Sequence, residues 1–298
     1  MDTLLHRIRR GEIIVADGAM GTLLIRRGFR PEDCFEALNL KHPDVIREIS
    51  SDYREAGADI IQTNTFGASP LKLQRFSLDG KTEAINAKAV EIARDAACGE
   101  AFISGSCGPS GRMLIPHGDT SPEQIHDSAL RQMQALIEAG VDVICIETMT
   151  DLTEAILNIK AAKAVSPTIP VMATMTFDLT PRGFFTIMGV AIERAASELG
   201  KEGADIIGTN CGHGIEQMID IARQFKMYSD LPLIVQSNAG LPKLIDGVPT
   251  YSEAPEFMAD RSRELVAIGV SIIGGCCGTT PAHIAAIRRM VDTVGPKT

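Results

Sequence analysis

A chain of 298 residues with 45% hydrophobic content and slightly positive mean hydropathy can bury a large core, and length alone allows one or two globular domains. Its 29 basic residues against 38 acidic ones leave a formal charge of -9, which repels nucleic acid phosphates and anionic lipid; Arg7 to Arg10 and Arg288-Arg289 are short clusters that read as solvated faces. The first ten residues lack the apolar centre of a signal peptide and no segment reaches the roughly 18 apolar residues of a membrane span, so a cytoplasmic protein with no nucleic acid or membrane partner is expected.

Short β-rich runs then recur along the chain. The first, Glu12 to Asp17, ends in Asp17-Gly18-Ala19-Met20-Gly21 and opens a long insert, Gly18 to His42. The second, Ala58 to Thr63, precedes apolar residues at helical spacing, Ile85, Ala89, Ile92, Ala93 and Ala96. After the third, Ala101 to Ser106, comes an insert from Gly105 to Pro122 and a second helical stripe, Leu130, Met133, Leu136 and Ile137. The fourth is Val141 to Glu147, the fifth Pro170 to Thr176, and the sixth Ala204 to Asn210, which runs into Cys211. Pro232 to Gln236 and Val270 to Gly275 complete the set. Four strands follow a helix-Gly junction, at Gly57, Gly140, Gly203 and Gly269, which is the glycine expected at a helix C-terminus. Eight strands alternating with helices predict a (β/α)8 TIM barrel spanning 1–298 as a single domain, with a doubly wound open sheet as the rival. Both inserts fall at strand C-terminal ends, the face that carries the chemistry of such a barrel.

Seven cysteines, two of them adjacent, argue against a secreted disulfide framework, so reduced thiols are expected. Cys98 and Cys145 fit ordinary buried cysteine. Cys211 ends the sixth strand, and Cys276 and Cys277 end the eighth inside Gly274-Gly275-Cys276-Cys277-Gly278-Thr279-Thr280-Pro281. Three soft thiolates with a fourth position open suit catalytic Zn(II). The same glycine-rich turn also reads as a barrel phosphate site with backbone amides aimed at an anion. Asp17 and Glu147, at the ends of the first and fourth strands, suit either acid-base work or holding a substrate ammonium, and the plain alternative is helix capping or loop structure. Gly amides beside Asp17 fit a substrate carboxylate. Among the histidines, His42, His117 and His213 read as loop residues, with His213 also close enough in sequence to Cys211 to serve the metal; His283 reads as part of a helix first turn capped by Thr279 or Thr280 with Pro281 at N1.

The ordered set Asp17-Gly18-Ala19-Met20-Gly21-Thr22, Gln62 to Ala68, Gly108-Pro109-Ser110-Gly111, Glu147-Thr148, Met175 to Asp178, Asn210-Cys211, Ser237 to Gly240 and Gly274 to Pro281 resembles the homocysteine S-methyltransferase family, most closely the homocysteine-binding barrel of cobalamin-dependent methionine synthase. The resemblance implies zinc on Cys211, Cys276 and Cys277, with the homocysteine thiolate completing the site. It implies Asp17 and Glu147 on the substrate ammonium, amides near Gly18 and Ala19 on its carboxylate, and the Asn238 side-chain oxygen at the metal before substrate arrives. Gly67 stands where betaine-using relatives carry an aromatic residue, and Trp is absent, which weighs against betaine. The expected donor is methylcobalamin held by a separate corrinoid protein, since the pattern Asp-x-His-x-x-Gly is missing. S-methylmethionine, or a corrinoid-pathway reaction on another thiol, is the alternative. Cys107 departs from the family pattern and is expected to be inert, the alternative being a further resting ligand or a redox-sensitive thiol.

Overall fold

In a computed structural model describing residues 2–30, 32–245 and 248–295, the apolar runs form eight parallel strands. These are β1 (Ile14–Val15), β2 (Ile60–Gln62), β3 (Phe102–Cys107), β4 (Val143–Met149), β5 (Val171–Met175), β6 (Ile206–Asn210), β7 (Leu233–Ser237) and β8 (Ile272–Gly275). Each strand pairs with its neighbours in sequence, and β8 pairs in parallel with β1. A parallel bridge between Ala16 and Ile60, with Asp59 N donating to Val15 O at 2.7 Å, joins β1 to β2 and closes the ring. The predicted barrel is the observed fold, and the open-sheet alternative falls because no strand edge is left between β1 and β2.

One helix follows each strand: α1 (Pro43–Glu55), α2 (Thr82–Ala97), α3 (Pro122–Glu138), α4 (Leu152–Val165), α5 (Ile192–Lys201), α6 (Ile215–Tyr228), α7 (Pro255–Ile268) and α8 (Pro281–Val294). The stripe on α2 is buried as its spacing requires; on α3 Met133 and Leu136 are buried, while Leu130 and Ile137 pack at the margin. Among the described residues, no helix is long and apolar enough to cross a membrane.

The helix-Gly-strand junction recurs as a structural unit. Gly57, Gly140, Gly203 and Gly269 all adopt left-handed φ, between 92° and 108°, where a side chain would be strained. At three of these the next strand opens on an aspartate whose carboxylate accepts a backbone N–H from the preceding strand: Asp59 from Val15 (2.9 Å), Asp142 from Ile103 (2.7 Å) and Asp205 from Val171 (2.9 Å). The junction therefore ties strands together as well as ending helices. Arg7 and Arg288 both pair with Asp59, at 2.8 and 3.0 Å, so these two arginines lie in a partly buried ionic cluster under the barrel and not on a solvated face.

Strand alternation sorts the barrel interior into layers. Its lower part is apolar, with Ile14, Ile60, Phe102, Val143, Met172, Ile206, Ile234 and Ile272, and Leu4 and Ile8 of a short helix (Leu4–Arg9) plug the base. Two or four residues further along β2 to β7 the inward positions turn polar, giving Gln62, Ser104, Ser106, Glu147, Thr174, Asn210 and Gln236. An apolar floor under a polar layer places the reactive groups at the C-terminal rim. Two small antiparallel hairpins, Asp178–Thr180 with Gly183–Phe185 and Lys243–Ile245 with Val248–Thr250, extend that rim after β5 and β7.

Candidate metal centre

The Sγ atoms of Cys211, Cys276 and Cys277 lie within 4.8 Å of one another, and Cys211 and Cys277 are 4.0 Å apart. A tetrahedral ion with metal–sulfur bonds of about 2.3 Å holds its sulfurs ~3.8 Å apart, so the cluster needs only slight contraction to grip zinc. Backbone turns produce this convergence. Cys211 takes a left-handed φ of 60° just past β6, with its amide on Gln236 O (3.1 Å) and its carbonyl taken by His213 N (2.8 Å). After β8, Cys276 N donates to Ser237 O (2.7 Å), and both the amide and the hydroxyl of Thr279 return to Cys276 O. Gly278 then turns at a φ of 83° with the Tyr251 ring packed where any Cβ would stand.

The three thiols titrate together. Cys211 is held down to about 3 by hydrogen bonds from Cys276 and Cys277, and those two are pushed up by the Cys211 charge they face. A soft divalent cation bound among the three sulfurs would displace the protons they share.

Beside the sulfurs opens a cleft of about 260 Å³ lined by Asp17, Gly18, Ala19, Gln62, Glu147 and the three cysteines. Asp17 is 4% exposed; its Oδ2 accepts the Gln62 amide at 2.8 Å while Oδ1 has no partner. Burial pushes its carboxyl up to about 8, with the nearby Glu147 charge adding to the rise. Glu147 is 8% exposed, accepts the Ser106 hydroxyl on Oε1 and faces the Asn210 amide at 3.4 Å. Burial, with the Cys211 charge behind it, pushes Glu147 up to about 7. Two buried carboxyls with raised pKa thus share one wall of the cleft, and Asp17 keeps an oxygen without a partner. Neither caps a helix.

The Ala19 amide is taken by the Thr279 hydroxyl at 3.1 Å, so a carboxylate bound there would have to share or displace that hydroxyl. Asn238 is 4% exposed and its Oδ1 is buried without a partner, the kind of orphaned oxygen a nearby metal would satisfy. His213 Nε2 approaches Asp178 at 3.4 Å and stands outside the sulfur cluster. His283 forms the capping box with Thr280, with Pro281 in the first turn, as expected. His42 packs edge-on against Phe29, and His117 is exposed. Cys107 points outward from β3 against Met133 Sδ at 3.6 Å, and Cys145 is enclosed in the apolar floor.

Sequence reasoning passed over Ser106, Gln62, Asn210, Thr279 and Tyr251. Ser106 and Gln62 were within reach, because they share inward parity with Ile60 and Phe102. Tyr251 arrives from a loop and carries no such signal.

A family model described as homocysteine S-methyltransferase matches residues 14–291. Methionine synthase of Mycobacterium tuberculosis is 33% identical over 98% of this chain, and that of Mycobacterium leprae 32% identical over 99%. The chain spans 26% of the length of each. Among solved structures, the metallated form of the Escherichia coli homocysteine methyltransferase MmuM superposes with a TM-score of 0.80 at 26% identity, covering 97% of this chain and 99% of that one. Its apo form gives 0.74 at 25% identity over 97% and 98%.

Proposed function

The chain belongs to the homocysteine S-methyltransferase family, and we propose that it holds zinc on Cys211, Cys276 and Cys277 and methylates the thiol of homocysteine to give methionine. The observation that carries the reading is the meeting, in one cleft, of a three-sulfur cluster with two buried carboxyls raised in pKa. A free alkyl thiol titrates near ~8.5 and is a weak nucleophile at neutral pH. Bound here, zinc supplies the Lewis acidity that keeps the substrate sulfur deprotonated and aimed into the cleft.

The remaining work falls to the chain. Asp17 and Glu147 ionise against the substrate ammonium, fixing the amino-acid end about the barrel wall, and the amides at Gly18 and Ala19 face its carboxylate. Asn238, whose buried Oδ1 has no partner, would offer an oxygen to the metal's open side. The lone pair of the substrate sulfur attacks the donor's methyl carbon, the bond from that carbon to the donor breaks with its electron pair, and neutral methionine leaves.

We take a free small sulfonium donor, S-methylmethionine, as the first reading, supported by the likeness to MmuM across nearly the whole of both chains. The second is methylcobalamin brought by a separate corrinoid protein, supported by the higher identity to the methionine synthases. A Cβ on Gly67 would stand 2.7 Å from Glu36 Oε1, so the aromatic residue of betaine users would require the Glu36 side chain to move. Zinc-loaded protein with homocysteine and each donor in turn tests the proposal by methionine formation. Methionine from no donor, or at equal rates without zinc, would sink it.

A further inference from the structure

The cleft beside the sulfurs is lined by three acidic side chains, Asp17, Glu147 and Glu36, and among the described residues no lysine or arginine lines it. Asp17 and Glu147 share the wall assigned above to the substrate ammonium. Glu36 stands apart from them, in a single helical turn (Phe35–Ala37) of the insert after β1. Its Oε1 accepts the Gly67 amide at 2.7 Å, and its Oε2 accepts the Cys34 thiol at 3.4 Å. The bare Cα of Gly67 lets the carboxylate in, since a Cβ there would stand 2.7 Å from Oε1. A carboxylate oxygen has two lone pairs, so one donor on each leaves room for a ligand. Lys72 runs past the same glycine but carries its Nζ to Gly111, and Glu36 makes no ion pair among the described residues. Around Glu36 the wall is apolar, formed by Met20, Phe35 and Phe66. Phe66 is 38% exposed yet held in place: its carbonyl accepts the Gly108 amide at 2.9 Å, and its ring lies where a Cβ on Gly108 would stand.

Resting on the reading of S-methylmethionine as donor, we propose that Glu36 is a specificity-determining residue for the methyl donor, its carboxylate facing the donor's sulfonium while the sulfonium methyls pack on the Phe66 ring. A carboxylate with spare lone pairs beside an exposed aromatic face suits a compact cation that bears methyl groups. The cleft then receives two cations, the homocysteine ammonium at Asp17 and Glu147 and the donor sulfonium at Glu36. The methyl carbon bonds to the homocysteine thiolate, the breaking bond leaves its electron pair on the donor sulfur, and the sulfonium becomes a neutral thioether. Positive charge beside Glu36 therefore fades as the reaction proceeds. Glu36 holds the donor in the ground state more than it lowers the barrier, so its loss falls on KM.

Glu36→Gln removes the charge and keeps an acceptor for the Gly67 amide; Glu36→Asp keeps the charge but is one methylene short of that amide. Initial rates on zinc-loaded protein are measured with S-methylmethionine varied at saturating homocysteine, and then the reverse. Glu36→Gln should show a KM for S-methylmethionine about 10-fold higher, with the homocysteine KM unmoved, and Glu36→Asp should lie closer to the unaltered protein. An unchanged donor KM in Glu36→Gln, or an equal rise in its homocysteine KM, would overturn the role. So would a Glu36→Asp more impaired than Glu36→Gln, because the Gly67 hydrogen bond and not the charge would then be what matters. The unaltered protein separates the levels of argument. If it makes methionine from methylcobalamin and none from S-methylmethionine, the sulfonium reading and the role of Glu36 fall together while homocysteine methylation stands; if no donor yields methionine, the proposed function itself fails.

Discussion

Raising the pH through neutrality should tighten amino-acid binding, and Asp17→Asn should remove most of that dependence. With Asp17 held up to about 8 and Glu147 up to about 7, both carboxyls are largely or partly protonated in the ligand-free site near neutrality. Ionising Asp17 at about pH 7 to meet an ammonium costs about 1.4 kcal/mol. From about pH 6 to about pH 8 its ionised fraction climbs from about 1% to about 50%, so this group alone can raise affinity about 50-fold, and Glu147 adds about 10-fold. Methionine, the proposed product, is the right probe because it keeps the ammonium and carboxylate but has no thiol to titrate. Calorimetry on zinc-loaded protein across that range should show the steep rise. Asp17→Asn should retain only the roughly 10-fold share of Glu147 and, at the upper pH, bind about 1.5–3 kcal/mol more weakly for want of a charged partner. A flat methionine affinity in the unaltered protein, or the same slope in Asp17→Asn, would refute the assignment of Asp17 to the ammonium.

Stability should move the opposite way. A carboxyl whose folded value is raised binds its proton more tightly when folded, so ligand-free stability falls as pH rises from about 4 through about 8; Asp17→Asn should raise the thermal midpoint above that window and leave it unchanged below it. Zinc affinity should increase with pH, because the protons shared by Cys276 and Cys277 with Cys211 must leave, and acid release of zinc followed with a chelator dye checks this. Cys107→Ser should leave zinc stoichiometry and methyl transfer intact while lowering stability by about 1–3 kcal/mol, since the hydroxyl is buried against Met133. Gly208→Ala should collapse soluble yield, because its Cβ would stand 1.9 Å from the Ile234 carbonyl and force β6 from β7.

The barrel was legible because its strands are buried on both sides and read as uninterrupted apolar runs; all eight fall within two residues of their expected positions. The base helix escaped because Leu4 and Ile8 span a single turn between arginines, and charge masked the apolar pair. Both rim hairpins have strands of three residues, too short for alternation to register, although Pro181 and Gly183 mark one turn. The sulfur cluster showed through because adjacent cysteines between glycines have few other uses. Arg7 and Arg288 were misread because a charged residue looks solvated until the fold reveals Asp59 between them.

Asn210 shows why the groups that supported the sequence reading also sit at workable distances. Its side-chain amide accepts the Thr148 amide at 2.8 Å and the Thr174 hydroxyl at 2.7 Å. A backbone N–H can only donate, so the atom facing it must be Oδ1, and the NH₂ end must then point toward the Thr148 hydroxyl, the Glu147 carboxylate and Cys276 Sγ. All three can accept. One fully buried side chain thereby orients both the Glu147 carboxylate and the Cys276 sulfur. The backbone agrees: Thr148 and Cys211, with left-handed φ of 61° and 60°, are strained for residues bearing a side chain, and each is bonded or joined directly to Asn210. The strain persists because relaxing either turn would strip partners from a buried amide. The spacing between the Glu147 carboxylate and the sulfur cluster is thus set by the strand ends of the barrel.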